Sequence, residues 1–102
     1  MMTCRLSPAA EADLDDIWIY TVRKWSADQG DSYISSLFDA FAKLGQNPGL
    51  GRRVDALLAG YRQFRCGHHL IFYVEAHEGK IEVIRVLHEK VDALRHLGSS
   101  PL

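Results

Sequence analysis

The sequence predicts an α+β domain in which a helical hairpin lies across one face of an antiparallel sheet. Two observations carry this. The first half holds two consecutive stretches whose apolar residues recur at steps of three and four, and the second half holds three short runs of strand character separated by polar breaks. A chain of 102 residues, 47% of them hydrophobic, is enough for one core without disulfides or metal. Residues 1–97 therefore read as a single domain, and residues 98–102, Gly-Ser-Ser-Pro-Leu, as a fraying tail.

Residues 3–6 read as a short strand, ended by Ser7 and Pro8. Ser7 has the side chain to cap a helix, and Pro8 suits its first position, where a missing N–H costs nothing. Ala10, Leu14, Ile17, Trp18, Thr21 and Trp25 then form one helical face. Glu11, Asp13, Asp15 and Asp16 crowd the N-terminal half, where the helix dipole favours negative charge. Ser26-Ala27-Asp28-Gln29 is a capping box that starts a second helix immediately. Its stripe is Ile34, Leu37, Phe38, Phe41 and Leu44, with Tyr33 off the stripe and expected exposed, and Asn47-Pro48-Gly49 stops it. Helices joined this tightly must run antiparallel.

Residues 49–60, with Arg52-Arg53 and several glycines, read as a surface loop with room for one helical turn through 54–58. Runs 61–66, 69–75 and 80–87 follow as a meander, broken by Gly67 and by His77-Glu78-Gly79. Residues 91–97 have the composition of a short closing helix. Strict alternation makes both sides of the meander apolar, so a sheet covered by helices on one side should meet a partner on the other.

Composition excludes more than it assigns. No apolar run approaches the length of a membrane span, and the N-terminus lacks the layout of a secretory signal, so a cytoplasmic protein is expected. The net charge of -1 hides an asymmetry: four Lys/Arg against seven Asp/Glu up to Gly51, eight against six beyond it, with all five histidines in the second half. That falls short of the basic face of a nucleic-acid-binding protein, and no direct sequence-specific binding is expected. Cys4 and Cys66 read as two free buried thiols. No phosphate-binding glycine loop occurs, His68 and His69 should point to opposite faces of a strand, and neither a cofactor nor a metal is expected. Cys66 near the histidines reads as packing rather than as a nucleophile with its base. Helical spacing makes Trp18, Tyr20, Trp25, Phe38 and Phe41 core or groove lining rather than a stacking platform.

The binding candidates are basic: Arg52, Arg53, Arg62, Arg65, Arg85, His88, Lys90 and Arg95. Arg65 and Arg85 stand out because they interrupt apolar strands, where a guanidinium needs a carboxylate, a carbonyl or a ligand.

Four segments in register carry a family likeness: Leu6-Ser7-Pro8-Ala9-Ala10-Glu11-Ala12-Asp13-Leu14-Asp15-Asp16-Ile17-Trp18, Asn47-Pro48-Gly49-Leu50-Gly51-Arg52, Gly67-His68-His69-Leu70-Ile71-Phe72-Tyr73 and Ile84-Arg85-Val86-Leu87-His88. Together they resemble the ParE branch of the RelE/ParE toxins of bacterial type II toxin–antitoxin modules. The resemblance implies a helical hairpin on an antiparallel sheet, a ParD-like antitoxin as partner and DNA gyrase as target. RelE relatives instead cut messenger RNA on the ribosome with a C-terminal arginine and tyrosine. Those positions fall here on Val91 and Leu97, and the RelE strand arginine falls on His69, which favours a non-enzymatic toxin. A register shifted onto Lys90, Arg95 or His96 would restore some chemistry, and an inactive antitoxin partner is the third reading. Glu89-Lys90-Val91 also departs from the glycine-arginine-methionine run common in the family. On this likeness Arg65, Arg85, His88, Lys90 and Arg95 are the target-binding candidates, and Trp18, Val22, Phe38, Arg52, Arg53 and Arg62 the antitoxin-binding ones.

Overall fold

The structure is a computed structural model that describes residues 4–91 and Leu97. In chain order its elements are β1 (Cys4–Leu6), α1 (Pro8–Lys24), α2 (Ala27–Gln46), a 3-10 turn (Pro48–Leu50), β2 (Arg52–Arg53), β3 (Tyr61–Cys66), β4 (His69–Glu75), a 3-10 turn (His77–Gly79) and β5 (Ile81–His88). The strands form one sheet in the order β1-β5-β4-β3-β2, with the hairpin of α1 and α2 on one face.

Both helix starts form as their caps dictate. The Ala10 N–H donates to Ser7 Oγ at 3.0 Å with Pro8 in the first turn, and the Gln29 N–H donates to Ser26 Oγ at 3.1 Å. Ala10, Leu14 and Ile17 of α1 and Leu37, Ala40, Phe41 and Leu44 of α2 bury their stripes against Ile71, Tyr73, Ile81, Val83 and Val86 of the sheet. Trp18 and Trp25, placed by spacing on the apolar face of α1, are exposed instead: Trp18 lies beside the start of α2, against Gly30 and Asp31, and Trp25 falls just past the end of α1 as its C-cap.

The loop after α2 is tied down by one buried hydroxyl. Tyr73 Oη accepts from the Gly51 N–H at 2.8 Å and donates to the Pro48 carbonyl at 2.7 Å. A Cβ at Gly51 would sit 2.4 Å from that oxygen, which explains a glycine there. With the loop anchored, Arg52 and Arg53 form a two-residue edge strand opposite Gln63 and Arg62 rather than the free loop expected. The turn anticipated at 54–58 forms, with the Leu57 and Leu58 N–H groups both donating to the Val54 carbonyl.

Three expectations about the sheet are corrected. First, β1 pairs parallel to β5, Cys4 opposite Ile81, so the sheet is mixed at one edge; a three-residue strand carries no directional pattern. Second, β5 does not alternate strictly. Phe72 faces Arg85 but Tyr73 faces Val83, leaving Ile84 as the extra residue of a β-bulge, so Val86 joins the helical side and Leu87 the far side. Third, the far face is not bare: Phe72, Leu87 and Leu97 are buried there, with Leu57, Leu58, Tyr61 and Leu70 packed against them. The turn at 54–58 folds back over the apolar side left uncovered by the helices. Of the closing helix expected at 91–97, residues 92–96 lie outside the described part, as do Met1–Thr3 and residues 98–102.

Candidate functional site

α1 seals the β5 bulge with side chains from its own first turns. Ser7 donates its hydroxyl to the Ile84 carbonyl at 2.7 Å, and Asp13 Oδ2 accepts from the Val86 N–H at 2.9 Å. Both groups lie just past Val83, where the pairing of β1 with β5 ends. Asp13 also takes Nε and Nη2 of Arg85, both at 2.8 Å, a bidentate pair largely withdrawn from solvent. The carboxylate that Arg85 needed as a strand arginine is thus Asp13, 72 residues away in sequence.

Arg65 meets its need differently. At the end of β3 its Nη1 pairs with Glu89 Oε1, and the other oxygen of Glu89 lies 2.9 Å from His68 Nδ1. Both partners hold the Glu89 carboxyl down to about 2, so it is ionised at neutral pH. His88 completes the corner, stacked on His68 with ring centres 6.3 Å apart and edge-on to His69 at 5.3 Å. Its Nδ1 accepts from the Lys90 N–H at 3.2 Å.

Tyr33 is the hub. Expected on the surface, it is half-buried because the β3–β4 hairpin folds over it. The Gly67 turn has φ of +61°, and a Cβ there would lie 2.7 Å from Tyr33 Oη. The hydroxyl accepts from the His68 N–H at 3.2 Å and lies 2.5 Å from His69 Nδ1. Burial first, then the neighbouring His88 and His68, push His69 down to about 4, so the ring is neutral at pH 7 and its Nδ1 shares a hydrogen bond with the Tyr33 hydroxyl. Burial likewise raises the Tyr33 hydroxyl, and both groups stay uncharged.

This corner lines a groove of about 540 Å³ between the C-terminal end of α1, the start of α2 and the ends of β4 and β5. A narrower stretch continues past Tyr20, Asp16 and Leu87. Of the target-binding candidates, Arg65, His88 and Lys90 share this corner, Arg85 is engaged with Asp13, and Arg95 lies outside the described residues. Spacing in the sequence did not reveal Tyr33, His69 and Glu89 as a unit, since β3, β4, α2 and the end of β5 must all meet to assemble them.

The antitoxin-binding candidates divide between two places. Trp18 and Phe38 line a second groove of about 430 Å³ along the helical hairpin, with Leu14 and Ile34 between them and Glu11 and Asp15 on its rim. Trp18 Nε1 donates to Asp31 Oδ1 at 3.0 Å, and Val22 packs against α2 where a Cβ at Gly30 would lie 2.7 Å from its Cγ2. Arg52, Arg53 and Arg62 sit at the β2 end of the sheet, away from the β1 edge that borders this groove. Arg62 is spent on the Gly51 carbonyl at 2.8 Å and Glu75 at 3.3 Å, and Arg53 on Asp55 at 2.9 Å.

Val91 is an exposed aliphatic side chain, and Leu97 is buried in the far-side cluster. Cys66 points its Sγ at the Ser36 carbonyl of α2, 3.6 Å away, while His69 is held by Tyr33. Cys66 is only half-buried, whereas Cys4 is buried enough to push its thiol up to about 11; both are free. Among the described residues no cluster of three or more His, Cys, Asp or Glu side chains is arranged to hold a metal ion, and no helix is long and apolar enough to cross a membrane.

Comparison with known proteins agrees with this architecture. A solved chromosomal ParDE toxin–antitoxin system from P. aeruginosa superposes with a TM-score of 0.72 over 86% of this chain and 96% of that one, at 21% identity, which establishes the common fold. Toxin ParE1 of Mycobacterium tuberculosis is 42% identical over 92 residues, covering 90% of this chain and 94% of the relative. Toxin ParE1 of Caulobacter vibrioides is 40% identical over 98 residues, covering 96% and 100%. Toxin ParE of Escherichia coli is 35% identical over 92 residues, covering 90% and 89%. The profile of the family described as "ParE toxin of type II toxin-antitoxin system, parDE" matches residues 4–93, which span both helices, every strand, the sealed bulge and the histidine corner. With the fold, the close relatives and the family profile in agreement over nearly its whole length, the chain belongs to the ParE toxins of type II toxin–antitoxin systems.

Proposed function

We propose that this ParE-family toxin acts in the cytoplasm by binding DNA gyrase and blocking replication, without catalysing a reaction of its own, and that a ParD-like antitoxin neutralises it. The observation that carries the non-catalytic reading is the replacement of the two C-terminal RelE residues by an exposed valine and a buried leucine. Neither side chain moves a proton or stabilises a phosphorane. His69 offers no substitute: its Nδ1 is occupied by Tyr33, and a ring depressed to about 4 is a weak base.

The target is engaged from the corner of Arg65, His88 and Lys90, with Arg95 as a further contact. Arg85 supports that surface from behind through Asp13. The antitoxin's helical arm lies in the groove of Trp18 and Phe38, burying apolar side chains at the cost of its own ordering. A segment that continues to the β2 end of the sheet would meet Arg52, Arg53 and Arg62 with its carboxylates.

The test is expression from a tightly repressed promoter, followed by incorporation of labelled thymidine and methionine over the first minutes. Loss of DNA synthesis while translation continues supports gyrase and leads to a supercoiling assay with Arg65→Ala and Lys90→Ala. Loss of translation first would overturn the proposal in favour of messenger RNA cleavage. No effect on either would leave an inactive antitoxin partner.

A further inference from the structure

The histidine groove displays more aromatic face and positive charge than the chain itself uses. Tyr20 and Trp25, at the end of α1, are 61% and 68% exposed, although spacing alone assigned them to a core or groove wall. They line the same groove as Lys24, Lys90, His68 and His88. Lys24 Nζ donates to Tyr20 Oη at 3.3 Å and lies 5.7 Å from the ring centre, so a cation sits beside an open π face. The groove's own carboxylate, Glu89, is already bound by Arg65 and His68, and among the described residues neither Lys24 nor Lys90 forms an ion pair.

We infer that this groove binds a short stretch of single-stranded nucleic acid without sequence preference, stacking a base on Trp25 or Tyr20 and placing the flanking phosphates at Lys24, Lys90 and His88. Exposed rings interleaved with cations along a concave surface are what an unpaired strand needs: every base offers a π face, and the backbone follows the positive charge. A duplex keeps its base faces stacked inside and could use the cations alone. An apolar peptide finds no aliphatic side chains among the groove's lining residues, and an acidic peptide would leave both rings unused. Asp16, in the adjoining stretch, limits the site on that side, because a phosphate there would meet like charge. The inference goes beyond gyrase poisoning, since it gives the toxin a direct nucleic-acid contact, and it is testable in the absence of gyrase.

The experiment is fluorescence anisotropy of a labelled oligothymidylate of about ten nucleotides with the full chain, at low and physiological salt. The expected result is binding that weakens as salt rises, falls roughly tenfold in each of Trp25→Ala and Tyr20→Ala, and is retained in Trp25→Phe. Lys24→Gln with Lys90→Gln should weaken binding and flatten its salt dependence. Far-UV circular dichroism confirms that each variant is folded, as expected for changes at exposed positions.

Four results would overturn the inference. These are no binding at low salt, binding indifferent to both aromatic substitutions, tighter binding of a duplex of the same length, and displacement by oligoglutamate equally from wild type and Trp25→Ala. The last would reassign the groove to an acidic protein partner.

Discussion

Two arginine–carboxylate pairs in this toxin share their chemistry and differ in what they hold. Asp13 and Arg85 join α1 to the β5 bulge, with side chains 12% and 22% exposed, while Arg65 and Glu89 join the end of β3 to the residue after β5, at 58% and 24%. The first pair is bidentate, and its carboxylate also takes a backbone N–H of β5 beyond the end of β1. The second is more open to water and shares its carboxylate with an exposed histidine. The difference teaches that an arginine interrupting an apolar strand is not by itself a sign of binding. Where its partner is a withdrawn carboxylate, as for Arg85, the pair ties helix to sheet, and where its partner is nearer the surface, as for Arg65, the guanidinium stays more open to water.

The largest expected effect follows from breaking the first pair. Asp13→Ala leaves both the Arg85 guanidinium and the Val86 N–H without partners, and should cost about 2–3 kcal/mol in urea unfolding. A loss below about 0.5 kcal/mol would mean that water replaces the carboxylate and that the seam is surface-like. Ser7→Ala tests the same seam from its other side. It removes the cap of α1 and the donor to Ile84, with an expected loss of about 1–2 kcal/mol.

The third effect separates the regions by pH. His69 is depressed to about 4 in the folded protein and returns to its ordinary 6.5 on unfolding. Its contribution is therefore complete above about pH 6.5 and is lost as pH falls towards 4, because the unfolded chain binds the extra proton. Discounted for the ring's partial exposure, the loss should be about 1 kcal/mol, and His69→Gln should remove it. The titration of Glu89 itself acts at lower pH: its stabilisation is present above its ordinary 4.5 and lost towards 2, so Glu89→Gln should remove that acid-side loss.

The smallest effect is that of Arg65→Ala on stability, expected below about 1 kcal/mol and largely abolished in high salt. Asp13→Ala should lose nearly as much in high salt as in low. A large, salt-resistant loss for Arg65→Ala would merge the two regions into one structural class.

The contrast also shows how far the residues speak for themselves. Ser7 with Pro8, and Ser26 with Gln29, announce both helix starts, because a cap is satisfied within one turn and needs nothing distant. The Arg85 requirement was legible as a requirement, but its partner was not, since nothing local singles out Asp13 from four acidic residues on one helix. Arg52-Arg53 reads as a loop until Tyr73 anchors Gly51 beside it, and Leu57 and Leu58 read as loop residues until the far face of the sheet exists for them to cover. Trp25 shows the reverse error: its spacing continues the apolar stripe of α1, but the helix ends at Lys24 and Trp25 leaves it as an exposed C-cap.

By itself, then, the sequence determined the two helices, the strands other than β2, their order, the hairpin pairing of neighbours and membership of the ParE family, all of which follow from periodicity, capping and motifs in register. Tertiary structure alone decided the parallel pairing of β1, the bulge in β5, the cover on the far face and the meeting of Tyr33, His69, His88 and Glu89 in one corner. The physical reason is the same in each case. These features depend on which backbone group is left without a partner, or which apolar surface without cover, once all the other elements have packed, and that is a property of no single stretch of chain.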